Sequence, residues 1–317
     1  MQQVPGSHFS SSSVVGKLVF FLLLFCILFF RLSPSLALAF GLAVGIIFQN
    51  PFPRQSKIVT KYLLQGAIIG LGFGMNFKKV IEAGQEGFTF TLLTIGAAIG
   101  LGYLLGRWLK VERNISYFIS VGTAICGGSA IAAVSQVIKA EDKDISVSIG
   151  TVFILNAVAL FIFPPIGTYF GLTQEQFGIW AAIAIHDTSS VVGAAADYGN
   201  EALMIATTVK LARALWIIPL VLLTSVVFKK QSSASVFPWF ILFFVLASIF
   251  NTYFYIPENI ASGIFKASKV AFSVTLFLIG TGISIKVIKK VGVRPLIQGV
   301  LLWLVILVSS LLIIMRY

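Results

Sequence analysis

Long apolar runs, cut by charged residues or by Pro and Gly clusters, fill most of the chain and recur at the length needed to cross a bilayer. About 20 apolar residues span the hydrocarbon core as a helix. Eleven segments meet that description, near 15–30, 35–49, 58–76, 88–106, 117–138, 145–165, 177–196, 203–227, 236–255, 268–285 and 296–315. They predict an all-α polytopic membrane protein with about 10–11 transmembrane helices. Polar residues 1–16 form a serine-rich tail ahead of one transmembrane domain over 17–317, with halves at about 35–170 and 177–317. Leu18 to Phe30, after Lys17, has the form of a signal-peptide core, but the cleavage-like Ala37-Leu38-Ala39 falls inside the second apolar run. Cutting there would split a span, so an uncleaved first helix is expected.

Composition excludes a soluble domain: 58% of the 317 residues are hydrophobic and 11% charged, with a mean hydropathy of +0.98, against about 25% charged in soluble proteins. The formal charge of +12 would suggest nucleic acid as the partner of a soluble protein. Here the expected partner is the lipid bilayer, with no nucleic acid, and the charge belongs first to cytoplasmic loops. If all eleven segments cross, thirteen basic residues fall on the amino-terminal side and eight on the other. That bias predicts a multi-pass protein of the cell (inner or plasma) membrane with a cytoplasmic amino terminus. Cys26 and Cys126 both lie in apolar runs, which excludes a disulfide framework.

Two segments do not read as ordinary lipid-facing helices. The fifth contains Gly122-Thr123-Ala124-Ile125-Cys126-Gly127-Gly128-Ser129. Glycine pairs weaken a helix, and unpaired backbone at membrane depth survives only inside protein or beside a water-filled cavity. A broken helix and a small-residue packing face both fit this stretch. The seventh places His186, Asp187, Thr188, Ser189 and Ser190 in the middle of an apolar run. A carboxylate at that depth costs at least about 2.5 kcal/mol, so it faces a partner, caps a half-helix or lines a path. The eighth carries Lys210 and Arg213 three apart, on one helical face and too deep to snorkel. They could pair with Asp187, but one acid does not neutralise two cations, which leaves room for an anionic ligand.

The chain also matches itself. At an offset of 55, Ala157 to Pro164 aligns with Ala212 to Pro219; at 210, Ile69-Gly70-Leu71-Gly72 aligns with Ile279-Gly280-Thr281-Gly282 and Lys79 with Lys289. Facing broken helices in related halves are how many secondary transporters build a midplane site. An offset of seven full spans inverts orientation, whereas an offset of two preserves it. Either a broken segment is re-entrant, which would make both duplications inverted, or one of the two alignments is accidental.

Gly122 to Ala133, Ala184 to Val192 and Gly70-Leu71-Gly72-Phe73-Gly74-Met75-Asn76 together resemble the bacterial sulfate exporter family of integral membrane proteins, from about Gly41 to the last span. More loosely, the Gly-rich segment and the helix ending in Pro164-Pro165 are similar to the crossing-helix region of bile acid/sodium symporters. The resemblance implies a panel domain and a core domain with crossed, interrupted helices in an alternating-access cycle, and it supports transport better than it supports sulfate.

The expected function is secondary transport of a small anion, sulfate or a related oxyanion or sulfonate. Helix N-termini around Thr123, Cys126, Gly127, Gly128, Ser129 and around Thr188, Ser189, Ser190 would present donors, and Lys210 and Arg213 would add positive charge. His186, Asp187 and Asn156 would couple an ion, H⁺ or Na⁺. The alternative is a cation/proton exchanger built on Asp187. No enzyme activity is expected, because His186, Asp187 and the two serines lie too close in sequence for a nucleophilic triad. No cofactor or metal is expected: histidines are too few for a metal site, and no P-loop occurs. Trp108, Trp239 and Trp303 read as interface residues outside the site, and a homodimer is expected by analogy with such folds.

Overall fold

The computed structural model describes residues 14–228, 239–254, 256–283 and 291–316. Most of the serine-rich tail (1–13) and Lys229, Lys230, Lys286, Lys289 and Lys290 lie outside them. The described residues form helices and no strand: α1 (Val14–Phe30), α2 (Pro34–Ile47), α3 (Pro53–Gly72), α4 (Phe77–Trp108), α5 (Arg113–Ala124), α6 (Gly128–Ile138), α7 (Asp142–Tyr169), α8 (Gln174–Ala184), α9 (Thr188–Tyr198), α10 (Asn200–Ala214), α11 (Ile217–Val227), α12 (Trp239–Tyr253), α13 (Glu258–Gly282) and α14 (Val293–Ile314). They trace the eleven apolar segments, the fifth as α5 and α6, the seventh as α8 and α9, and the eighth as α10 and α11 about a bend at Leu215-Trp216. Among the described residues, five helical stretches are long and apolar enough to cross a bilayer: Thr91–Trp108, Asp142–Tyr169, Asn200–Val227, Glu258–Gly282 and Val293–Ile314. This is an all-α polytopic membrane protein.

Neither interrupted segment crosses; both are re-entrant hairpins. A straight helix over 113–138 would hold its ends about 37 Å apart. Instead Lys143, just beyond α6, is ion-paired with Glu112, just before α5, at 3.1 Å, and Asn114 donates to Asp144 at 3.0 Å. The chain reverses at Ile125-Cys126-Gly127, where Gly127 takes φ +62°, a conformation that strains a residue with a Cβ. The second hairpin is closed at its base in the same way. Tyr198, at the end of α9, stacks on Phe177 near the start of α8 with ring centroids 3.8 Å apart, and its hydroxyl donates to the Leu172 carbonyl at 2.6 Å. Thr173 and Gln176 form a capping box that starts α8.

Because α7 runs from the base of one hairpin to the base of the other, the hairpins enter from opposite ends of the bundle and their tips meet between. A Cβ on Gly127 would lie 3.5 Å from the Asp187 Cβ. The described residues thus pass end to end nine times and enter and return twice. Both duplications are then inverted: α7 and α10–α11 run in opposite directions, as do α3 and α13. The implied crossed helices are replaced by paired tips. Re-entrance also moves Lys139 and Lys143 to the amino-terminal end. Among the described residues that end holds Lys17, Arg54, Lys57, Lys61, Arg107, Lys110, Arg113, Lys139, Lys143 and Arg294, and the other Arg31, Lys78, Lys79, Lys266, Lys269 and Arg316.

Packing divides the helices into two groups. α1, α2, α3, α12 and α13 pack on one another, with a separate apolar cluster around Phe20, Ile27, Val44 and Phe277. α2 and α13 approach at Gly45 and Gly280, where a Cβ would come within 2.8 Å of backbone on the partner helix. The second group surrounds the hairpins: α4 and α14 flank α5 and α8, while α7 and α10 brace them from behind. The groups meet chiefly where α9 packs on α2 and α13.

Candidate functional site

Each hairpin tip exposes two kinds of helix end. α5 and α8 arrive with their C-terminal carbonyls, which carry partial negative charge; α6 and α9 leave with their N-terminal N–H groups, which carry the opposite sign. The carbonyl ends are engaged mainly by α10. Arg213 donates from Nε to Ala124 at 2.7 Å, from Nη1 to Ile183 at 2.8 Å and from Nη2 to Thr123 at 3.3 Å. One guanidinium therefore ties both tips together. Lys210 donates to the carbonyls of Ile185 at 2.6 Å and Ala182 at 3.1 Å. Both side chains are fully buried, at 0% exposure, which is tolerable because each charge is spent on dipole ends of opposite sign.

The N-terminal ends are treated unequally. Asp187 is the N-cap of α9: its carboxylate accepts from the Ser189 backbone at 3.1 Å and from the Ser189 hydroxyl. α6 has Gly127 as N-cap and no side-chain cap. Asn156, on α7, accepts from the backbone N–H groups of His186 and Asp187 at 3.2 Å each, which fixes the turn of the second tip. On the far side Trp303 of α14 donates to the Ala184 carbonyl at 2.9 Å. Four buried polar atoms at the tips have no hydrogen-bond partner among the described residues: Thr123 Oγ1, Asn156 Nδ2 and both ring nitrogens of His186. Unpaired buried polar atoms are uncommon and each calls for an explanation.

Sequence comparison places this architecture in a family. The family model described as conserved hypothetical protein 698 matches residues 13–299. The chain is 51% identical to a UPF0324 membrane protein of Bacteroides thetaiotaomicron, over 88% of this chain and 85% of that one. The chain belongs to the UPF0324 membrane protein family. Further UPF0324 membrane proteins, from Porphyromonas gingivalis (51% identity, 88% of this chain, 86% of that one) and Vibrio vulnificus (47%, 92% and 95%), are similar along nearly their whole length. No solved structure matches the chain.

In this UPF0324 protein the residues singled out from sequence come together at the tips. Thr123 ends α5, Cys126 and Gly127 form the first turn, Gly128 and Ser129 open α6, and Thr188, Ser189 and Ser190 open α9. Lys210 and Arg213 join them, but their donors go to carbonyls and not into an open site. No ion pair links either to Asp187 among the described residues. The Ser189 hydroxyl bonds Asp187 while the His186 ring bonds neither, so no relay of Ser, His and Asp is formed.

Trp303 corrects the sequence reading. It is 5% exposed and lies 6.4 Å, ring to ring, from His186, because position 303 is the middle of α14 and not its end. Trp108 and Trp239, at 72% and 61% exposure, sit at helix ends as expected. Gln298, one and a half turns before Trp303, was also passed over; it is fully buried and donates to Gly102 and Ser116, bracing α4 and α5. A lone amide in an apolar run was its signal.

Proposed function

We propose that this protein is a secondary transporter of a small oxyanion, with the substrate held between the two hairpin tips. One observation carries the reading: the α6 N-terminus is uncapped beside the opposing tip, while the carbonyl ends that would attract a cation are already filled by Lys210 and Arg213. Two buried cations against the single acid Asp187 leave a positive excess, and free helix N–H groups favour an anion. The basic pair thus acts on the substrate through its field and through the shape of the tips. The Asn156 amide and the His186 ring supply unpaired polar atoms, and His186 with Asp187 suits proton coupling. Inverted half-helices meeting at mid-depth support alternating access, with α1–α3, α12 and α13 as panel and the hairpin group as the moving core. The more basic amino-terminal end would face the cytoplasm by the positive-inside rule. Resemblance to sulfate exporters puts sulfate-like ions first among substrates.

The test is charge movement by reconstituted protein on a solid-supported membrane. Jumps of sulfate, sulfite, small sulfonates or carboxylates at fixed Na⁺ and pH should give transient currents. Asp187→Asn keeps the α9 cap, since Asn caps as well as Asp, so it should fold normally and lose the pH dependence of those currents. The half-buried Asp187 carboxylate, free of any ion pair among the described residues, favours Na⁺/H⁺ exchange as the second reading. Currents on Na⁺ jumps without any anion, and none with anions, would replace the first by the second.

A further inference from the structure

A cavity lies away from the tips, at the amino-terminal end of the bundle, between α4, α5 and the end of α11. Its volume of about 480 Å³ falls within the range of about 300–1,000 Å³ usual for small-molecule sites. Its floor is one line along α4: Gly100, Tyr103 and Arg107 follow at spacings of three and four, which stacks them on one helical face. A Cβ on Gly100 would meet nothing within 4 Å, so the groove is open where the helix has no side chain. By contrast Gly102 and Gly106 face Ser120 and Ser116 of α5, and this close helix contact makes the side wall. Phe228 and Tyr117, ring centroids 5.6 Å apart, form the other wall.

Charge is confined to one end. Arg107 and Arg113 both line the cavity where α4 turns into α5. The Arg113 guanidinium rests 5.5 Å from the centre of the Phe228 ring, and Arg107 donates to the Tyr103 hydroxyl at 3.4 Å. Neither forms an ion pair among the described residues, because the nearby acid Glu112 is taken by Lys143. An apolar slot along the membrane axis, closed by two uncompensated arginines at the level of the headgroups, matches the two ends of an anionic lipid.

We propose that this groove binds an anionic phospholipid of the leaflet at the amino-terminal end, its phosphate on Arg107 and Arg113 and an acyl chain along Ile99 and Gly100. The lipid would lie against α5, the limb that brings the Thr123 and Ala124 carbonyls to Arg213, and would stiffen the first hairpin. The inference does not depend on what the protein transports, and its test measures no transport.

Detergent-purified full-length protein is titrated with short-chain phosphatidylglycerol, phosphatidylcholine of the same chains, or inorganic phosphate, and followed by native mass spectrometry and thermal melting. Phosphatidylglycerol should give one retained adduct per chain and a raised Tm; phosphatidylcholine should bind more weakly and phosphate should do nothing. Neutralising one arginine (Arg107→Gln or Arg113→Gln) should weaken phosphatidylglycerol about fivefold, the effect of one basic residue near an anionic surface. Gly100→Phe fills open space and should fold normally, with both lipids excluded. Adducts that persist in Gly100→Phe, equal binding of the two lipids, a full effect from phosphate alone, or a stable dimer that covers this face would each overturn the proposal.

Discussion

At the scale of single residues, Lys210 and Arg213 show how position in the fold changes what a charge is for. Their depth and their place on one helical face were plain from the run they interrupt. What they bind was not, because backbone carbonyls leave no mark in a sequence. Arg213 serves three carbonyls on two hairpins with the fixed fork of a guanidinium; the compact ammonium of lysine does not reach all three. Arg213→Lys should therefore orphan at least one buried carbonyl, at about 1–3 kcal/mol each, and lower Tm by about 5 °C in a chain of this size. Arg54→Lys, at the exposed start of α3, should leave the melting curve unchanged. A matching Tm for Arg213→Lys would mean that the tips hold together without it. Asn156 and Trp303 belong to the same class of residue, since each binds backbone of the second tip from a helix distant in sequence.

Elements were more legible than their paths. Run lengths located eleven apolar segments, and glycine pairs in one and a polar cluster in another marked the two that break. The return of each chain after its break was hidden for a physical reason. Hydropathy reports how apolar a stretch is and says nothing of direction, so two half-helices that fold back have the profile of one helix that continues. Base contacts decide the matter: Glu112 with Lys143, and Tyr198 with Phe177 and Leu172. Cysteine labelling from one side of the membrane checks this. In a chain carrying Cys26→Ala and Cys126→Ala, Lys139→Cys should react from the same side as Arg54→Cys and opposite to Arg31→Cys. Reaction of Lys139→Cys together with Arg31→Cys would restore a full crossing and remove the hairpin.

For the whole molecule, the seam between the two helix groups is bridged at the end opposite the amino terminus. There Ser35 of α2 donates to Asp197 of α9, and Lys269 of α13 donates to Asn200 of α10 at 3.1 Å. If the groups move against each other during transport, joining them here must stop the cycle. Ser35→Cys with Asp197→Cys, oxidised in the reconstituted protein, should abolish anion currents and recover them on reduction; undiminished currents with the crosslink formed would exclude motion at this seam. The sequence by itself determined that the protein lives in a bilayer, how many apolar segments it has, where two of them fail as helices, and which polar groups lie at depth. Those are properties of local composition and spacing. Tertiary structure alone decided that the breaks are hairpin tips facing each other, that the duplications are inverted, and that the buried cations hold carbonyls, because each depends on contacts between residues some 25 to 90 positions apart in the chain.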